Sequence, residues 1–316
     1  MAKTVAKPKA TRRPIQAPNR RQDPARQRPW LFLVAAAGLA ALAGVAFIAL
    51  GGGSDEGTSA RGALPNTPDY HSLLVSPNNP NQLTLGTHAG LFSSADGGLS
   101  WKKTTLAGQD AMNLAQPGGK TIWAAGHSVL ARSSDGGLSW QDMQPDGLPS
   151  LDVHGFAVDA KDSKTLFAAI AGEGIYRSTD NGASFGPVTT EFGRGVMALA
   201  SLPDGRLLAG DMERQGLFAS SDRGKTWQGV VQAQVMGIAV NPKNPERILA
   251  SGTGILLSTD GGRNWKQTLS VPEGSGPVAW SSSNPQVAYV VGFDRFLYRT
   301  GDGGTSWTPI VGREAG

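Results

Sequence analysis

Six copies of one short motif, S-x-D-x-G-x-[S/T]-W, recur between Ser94 and Trp307 and constrain the fold of this chain more than any other feature. Its acidic members are Asp96, Asp135, Asp180, Asp222, Asp260 and Asp302, and its closing aromatics are Trp101, Trp140, Phe185, Trp227, Trp265 and Trp307. Successive aspartates are 39, 45, 42, 38 and 42 residues apart. A unit of about forty residues buries too little surface to fold alone, so neighbouring units must pack on one another. The motif has the chemistry of a tight hairpin. The carboxylate accepts backbone N–H groups across the turn, the glycine supplies positive φ, and the aromatic ring pins the turn to a sheet. In the third unit, 156–159, 165–170, 174–179 and 184–189 read as four short strands. The same division fits every unit from about Tyr70 to Ile310. The predicted fold is therefore all-β: a six-bladed propeller with four antiparallel strands and one motif per blade, over 70–311, with a short tail at 312–316.

Composition narrows the remaining classes. The chain has 316 residues with 43 Gly and 20 Pro, too many turn-formers for a helical bundle. It contains no cysteine, which excludes a disulfide framework, a cysteine-ligated zinc and a lipoprotein anchor. Its net charge of +4 is unevenly spread. Residues 1–29 hold nine Lys/Arg against the single Asp23, while the rest of the chain holds 20 Lys/Arg against 24 Asp/Glu. The folded part is mildly acidic, so no nucleic-acid partner is expected.

Residues 1–29, broken by five prolines, read as a basic disordered tail. Residues 30–50 read as a single transmembrane signal-anchor helix. The twenty uncharged residues Leu31–Leu50 span about 30 Å as a helix, the thickness of a bilayer core. The basic flank places the N-terminus in the cytoplasm and the propeller outside or in the periplasm. Residues 51–69 read as a flexible linker.

The repeated motif resembles the Asp-box, or BNR, repeat of sialidases, sortilin-type receptors and photosystem-assembly propellers. From Asp69 onward the chain is also similar to bacterial membrane-anchored Asp-box propellers labelled glycosyl hydrolases. That likeness is carried by Tyr70–Pro77, Gly86–Phe92, Asp110–Asn113, Gly126–His127 and Asp152–Val158. It implies a protein of the bacterial cytoplasmic membrane. It also implies that each box is the hairpin between the third and fourth strands of a blade. The loops entering strand one and leaving strand two would then share the opposite face, near the axis.

On that face the blades differ. The positions heading strand one are His71, Met112, His154, Met197, Met236 and Gly276. Two residues earlier, blades one to three carry Asp69, Asp110 and Asp152, where the other blades carry Gly195, Gln234 and Gly274. His88 and His127 each lie eight residues before a box aspartate, and Glu173 lies one step off that register. All four histidines thus fall on one face of three consecutive blades. Met197 and Met236 read as channel filling. Imidazole, thioether and carboxylate together are transition-metal ligands, and the His/Met mixture suits copper. The expected metal set is His71, His88, Met112, His127 and His154, with Asp69, Asp110 and Asp152 as ligands or as acceptors that orient the imidazoles.

The expected function is a binding or assembly module that takes a protein, or a polar or carbohydrate ligand, at the axial face. The alternative is a glycoside hydrolase using two of Asp69, Asp110, Asp152 and Glu173 as its carboxylates. Sialidase chemistry is not expected. The Arg-Ile-Pro motif of that family is absent, Arg132, Arg177 and Arg299 occupy a repeated position before a box, and no tyrosine has an evident glutamate partner.

Overall fold

The structure is a computed structural model that describes residues 61–312 except 107 and 191. The tail, the anchor and the first ten residues of the linker lie outside the described residues. Among the described residues no helix is long and apolar enough to cross a membrane.

Among the described residues, twenty-four strands form six four-stranded antiparallel sheets, each built from consecutive strands. Blade one is β1 (Ser72–Val75), β2 (Leu83–Thr87), β3 (Gly90–Ser94) and β4 (Lys102–Lys103). Blade two is β5 (Asn113–Gly118), β6 (Thr121–Gly126), β7 (Val129–Ser133) and β8 (Gln141–Asp142). Blade three is β9 (Val153–Val158), β10 (Leu166–Ile170), β11 (Gly174–Ser178) and β12 (Gly186–Thr189). Blade four is β13 (Val196–Ser201), β14 (Leu207–Asp211), β15 (Gly216–Ser220) and β16 (Gln228–Val231). Blade five is β17 (Val235–Val240), β18 (Ile248–Gly252), β19 (Gly254–Ser258) and β20 (Lys266–Ser270). Blade six is β21 (Ser275–Trp280), β22 (Ala288–Gly292), β23 (Leu297–Thr300) and β24 (Thr308–Val311).

The first strands β1, β5, β9, β13, β17 and β21 each touch the next, and β21 touches β1, so the blades close into a ring. The second strands β10, β14, β18 and β22 are buried along their whole length because a blade covers each face. Their largely apolar runs, interrupted only by Asp211 and Ser251, are the expected signature of sheets covered on both sides. The core is correspondingly divided between blades: Trp123 packs with Phe156 and Phe185, Phe167 with Val196 and Phe192, and Leu249 with Trp280. Blades one and six meet through Leu83, Leu85 and Trp101 against Tyr289 and Leu297. Tyr289 Oη also donates to the Pro80 carbonyl at 3.0 Å across that junction. Leu64 is buried in the same cluster, so the packed part of the chain begins ahead of Tyr70.

Each motif forms the hairpin between strands three and four. In blade one the Ser94 hydroxyl donates to Asp96 Oδ1 at 2.8 Å and accepts the Gly98 N–H at 2.8 Å. Asp96 accepts the Ser100 N–H at 3.0 Å and the Ser100 hydroxyl at 2.7 Å. The same bonds recur at Asp135, Asp180, Asp222 and Asp302, and at Asp260 with Asn264 as donor. Two consecutive residues of each box have positive φ, and the second is always glycine. At Gly98 a Cβ would collide with Leu297 of blade six, so the glycine serves blade packing as well as the turn. The indoles of Trp101, Trp227 and Trp265 donate to the box glycine carbonyl, whereas Trp140 and Trp307 donate to Thr105 and Thr268 of the preceding blade. The Phe185 ring has no N–H to give. There the Asp146 backbone bonds the box directly, accepting from Phe185 N at 2.8 Å.

Within blade three the largest shift from the sequence reading is at its inner edge. The first strand of blade three starts at Val153 rather than Phe156, because Gly155 continues the ladder opposite Ala169 instead of breaking it. His154 consequently sits within a strand.

Candidate functional site

Every blade sends two segments to one rim of the central channel: the residues entering its first strand and those leaving its second. Backbone bonds hold these segments together across blade boundaries. Ala111 N, ahead of β5, donates to Thr87 O at the end of β2 at 3.3 Å. His127, after β6, and Asp152, ahead of β9, form an antiparallel bridge between blades two and three. Glycine permits the approach, since a Cβ on Gly126 would strike the Asp110 carbonyl.

These contacts set seven side chains in a continuous arc. His71 Nε2 lies 3.0 Å from Asp69 Oδ1 and 2.8 Å from His88 Nδ1, and His88 Nδ1 also contacts Asp69 Oδ2. The other nitrogen of the same ring, His88 Nε2, reaches Asp110 Oδ2 of blade two at 3.1 Å. His127 repeats the pattern. Its Nδ1 is 2.6 Å from Asp110 Oδ2, and its Nε2 is 3.4 Å from Asp152 Oδ1 and 3.1 Å from His154 Nε2. His154 Nε2 closes the arc 3.2 Å from Asp152 Oδ1. Three overlapping groups result, each with two imidazoles and one carboxylate: Asp69/His71/His88, His88/Asp110/His127 and His127/Asp152/His154. In each, one ligand atom per residue lies within 4.8 Å of the others.

The arc is electrostatically tense. The Oδ1 atoms of Asp69, Asp110 and Asp152 are shielded from solvent yet accept no hydrogen bond of good geometry. A buried carboxylate oxygen without a well-aligned donor is costly, and a cation relieves that cost. Burial opposes the charge on Asp69, but its bonds with His71 and His88 outweigh this and hold the carboxyl well below the usual range. The bond to Asp69 raises His88 against burial, and the bond to Asp110 raises His127 in the same way. Burial pushes His154 down against the nearby Asp152 charge.

Two expected members stand apart. Met112 is buried and lines the channel with His71, Met197 and Met236, in a cavity of about 90 Å³. Glu173 is exposed in the turn between β10 and β11 and joins none of the three groups. The equivalent rim segments of blade four line a separate cleft of about 550 Å³ that includes Arg194, Glu213 and Arg214.

The arginines and tyrosines lie elsewhere. Arg132, Arg177 and Arg299 each pair across strands with an aromatic residue, namely Trp123, Phe167 and Tyr289, in three separate blades. They do not converge on a substrate. Tyr298 Oη donates to Asp294 Oδ2 at 2.6 Å. Burial first, and that carboxylate second, push its phenol up, the opposite of an activated nucleophile.

No family model matches the sequence, and no curated protein matches it. Solved structures share the fold. A GH74 enzyme from Niastella koreensis superposes with a TM-score of 0.53 at 18% identity, over 78% of this chain and 47% of that one. A GH74 xyloglucanase from Xanthomonas campestris gives 0.51 at 17% identity, over 79% and 46%. This chain thus spans about half the length of these enzymes. YCF48 bound to D1 peptide gives 0.52 at 18% identity, over 81% of this chain and 86% of that one. The chain is a six-bladed β-propeller, and its likeness to these proteins is one of fold.

Proposed function

We propose that this chain is a membrane-anchored, extracytoplasmic binding or assembly module whose channel rim holds a divalent transition metal. The observation that carries this reading is the pair of shared imidazoles: His88 and His127 each offer both ring nitrogens to carboxylates of two adjacent blades. Two imidazoles and a carboxylate with open coordination positions suit zinc or ferrous iron, and imidazole also suits copper(II). With Met112 outside the three groups, the His/Asp set moves the preference from copper with a thioether ligand toward these borderline ions. A bound ion would leave open positions for a polar or carbohydrate ligand or a protein carboxylate. That YCF48 is found with a peptide supports a protein partner for a propeller of this architecture.

The likeness to GH74 enzymes favours a second reading, a glycoside hydrolase working through Asp69, Asp110 and Asp152. A hydrolase needs one carboxyl kept protonated as the acid. Asp69 is driven the other way.

The test is calorimetric titration of the full chain, purified in detergent without a histidine tag and stripped of metal, with zinc and copper(II). His88→Ala/His127→Ala disrupts all three groups. Wild-type binding that falls at least tenfold in this variant supports the reading; equally weak binding by both overturns it. The anchor is tested by mass spectrometry of the natural protein: retention of residues 30–50 is expected, and an N-terminus beyond Gly51 refutes it.

A further inference from the structure

The three groups overlap, and the overlap restricts how many can be filled at once. A neutral imidazole has one lone-pair nitrogen and one N–H. His88 belongs to the first and second groups through different nitrogens, Nδ1 and Nε2. His127 belongs to the second and third through Nδ1 and Nε2. Neither ring can ligate in two groups without losing its remaining proton. Adjacent groups are therefore mutually exclusive, whereas the two outer ones share no residue.

We infer that the rim is a two-ion site, filled at Asp69/His71/His88 and at His127/Asp152/His154, with Asp110 between them as a shared positioning residue. This rests on the metal reading above and assigns its stoichiometry. Two ligand atoms about 2.0–2.1 Å from one ion are about 2.9 Å apart at a right angle and about 3.3 Å apart at the tetrahedral angle. In the outer groups the nitrogens approach each other at 2.8 Å and 3.1 Å, and Asp152 Oδ1 stands 3.4 Å and 3.2 Å from its two nitrogens. These separations match those of atoms that share one ion.

The central group differs in how its nitrogens meet. The outer pairs contact each other directly, at 2.8 Å and 3.1 Å, whereas His88 Nε2 and His127 Nδ1 meet only through Asp110 Oδ2, at 3.1 Å and 2.6 Å. One carboxylate oxygen can accept two N–H groups. If His88 Nε2 and His127 Nδ1 carry the protons, both donate to Asp110, and the lone pairs fall on His88 Nδ1 and His127 Nε2. Those nitrogens face the outer groups. One carboxylate thus sets the tautomer of two ligands in two sites, the usual role of an outer-shell acceptor. The His88 and His127 rings, with centroids 5.8 Å apart, stand between the two ions, so the ions have no common ligand.

The test is the zinc content per chain after equilibration and gel filtration, beside calorimetry on the same proteins. Wild type is expected to hold two ions, and His71→Ala and His154→Ala one each. Asp110→Asn is expected to keep two while weakening both by about 10–100-fold. Three ions in wild type, or a single ion that Asp110→Asn abolishes, overturns the arrangement but leaves a metal site standing. No ion in wild type overturns the metal reading as well. Loading wild type with copper(II) gives a readout that needs no variant. Electron paramagnetic resonance should integrate to two uncoupled spins, and a signal lost to coupling through a bridging imidazolate refutes the inference.

Discussion

His127 leaves the second strand of blade two and bridges to Asp152 at the head of blade three, with Nε2 and Oδ1 3.4 Å apart. The rim site is thus made at blade boundaries, and His88 with Asp110 repeats the relationship one blade earlier at 3.1 Å. Whatever shifts one blade against the next shifts the ligand set.

Gly126→Ala should show this coupling. A methyl there would collide with the Asp110 carbonyl oxygen and lie 2.9 Å from Met112 N, so the backbone that carries the central carboxylate must shift. The expected cost is about 1–3 kcal/mol, as for other overpacked sites. Zinc affinity should fall together with the melting temperature. A variant as stable as wild type, with unchanged zinc binding, would contradict the tight approach.

Asp96→Ala should separate scaffold from site. The variant loses acceptors for the Ser100 N–H and hydroxyl on the face away from the rim. A loss of about 1–2 kcal/mol, or about 2–8 °C in Tm, is expected with metal stoichiometry unchanged. Lost binding at an unchanged Tm would make the box part of the site.

Acid should loosen all six blades together. The Asp180 and Asp222 carboxyls are held at about 2 chiefly by the Ser184 and Thr226 hydroxyls, and Asp260 at about 2 chiefly by the Asn264 N–H. Each folded-state value lies below the ordinary 3.8, so the unfolded chain binds more protons as the solution is acidified. Their contribution is complete above about pH 4 and is lost as the pH falls toward 2. Tm measured on the metal-free protein from pH 5 to pH 2 should decline steadily over that interval. A flat profile would show that these bonds do not favour the folded state.

Tyr289→Phe probes closure of the ring. The hydroxyl bonds blade six to the Pro80 carbonyl of blade one, and the ring itself is buried in their shared cluster. Losing the bond while keeping the ring should cost about 0.5–1.5 kcal/mol in a urea titration. An unaltered midpoint would mean that packing alone closes the ring.

The blade count, the strand order and the box hairpins were legible in the sequence because their chemistry is local. The Asp96 bonds to Ser94 and Ser100 span two and four residues, so the spacing of the motif carries the geometry with it. The gathering of His71, His88, His127 and His154 on one rim followed from the same register, since equal positions in successive blades face the same way. What the sequence could not carry lies between blades. That His88 of blade one and His127 of blade two meet on one oxygen of Asp110, while Glu173 stays out in solvent, depends on how closely adjacent blades approach around the closed ring. That approach is decided by packing among residues dozens of positions apart, such as Trp123 with Phe156 and Phe185. The pairing of Arg132 with Trp123, and of Arg299 with Tyr289, likewise depends on cross-strand partners fixed only when each sheet forms. A repeat dictates each blade by short-range bonds; only the assembled ring decides which side chains of neighbouring blades share an atom.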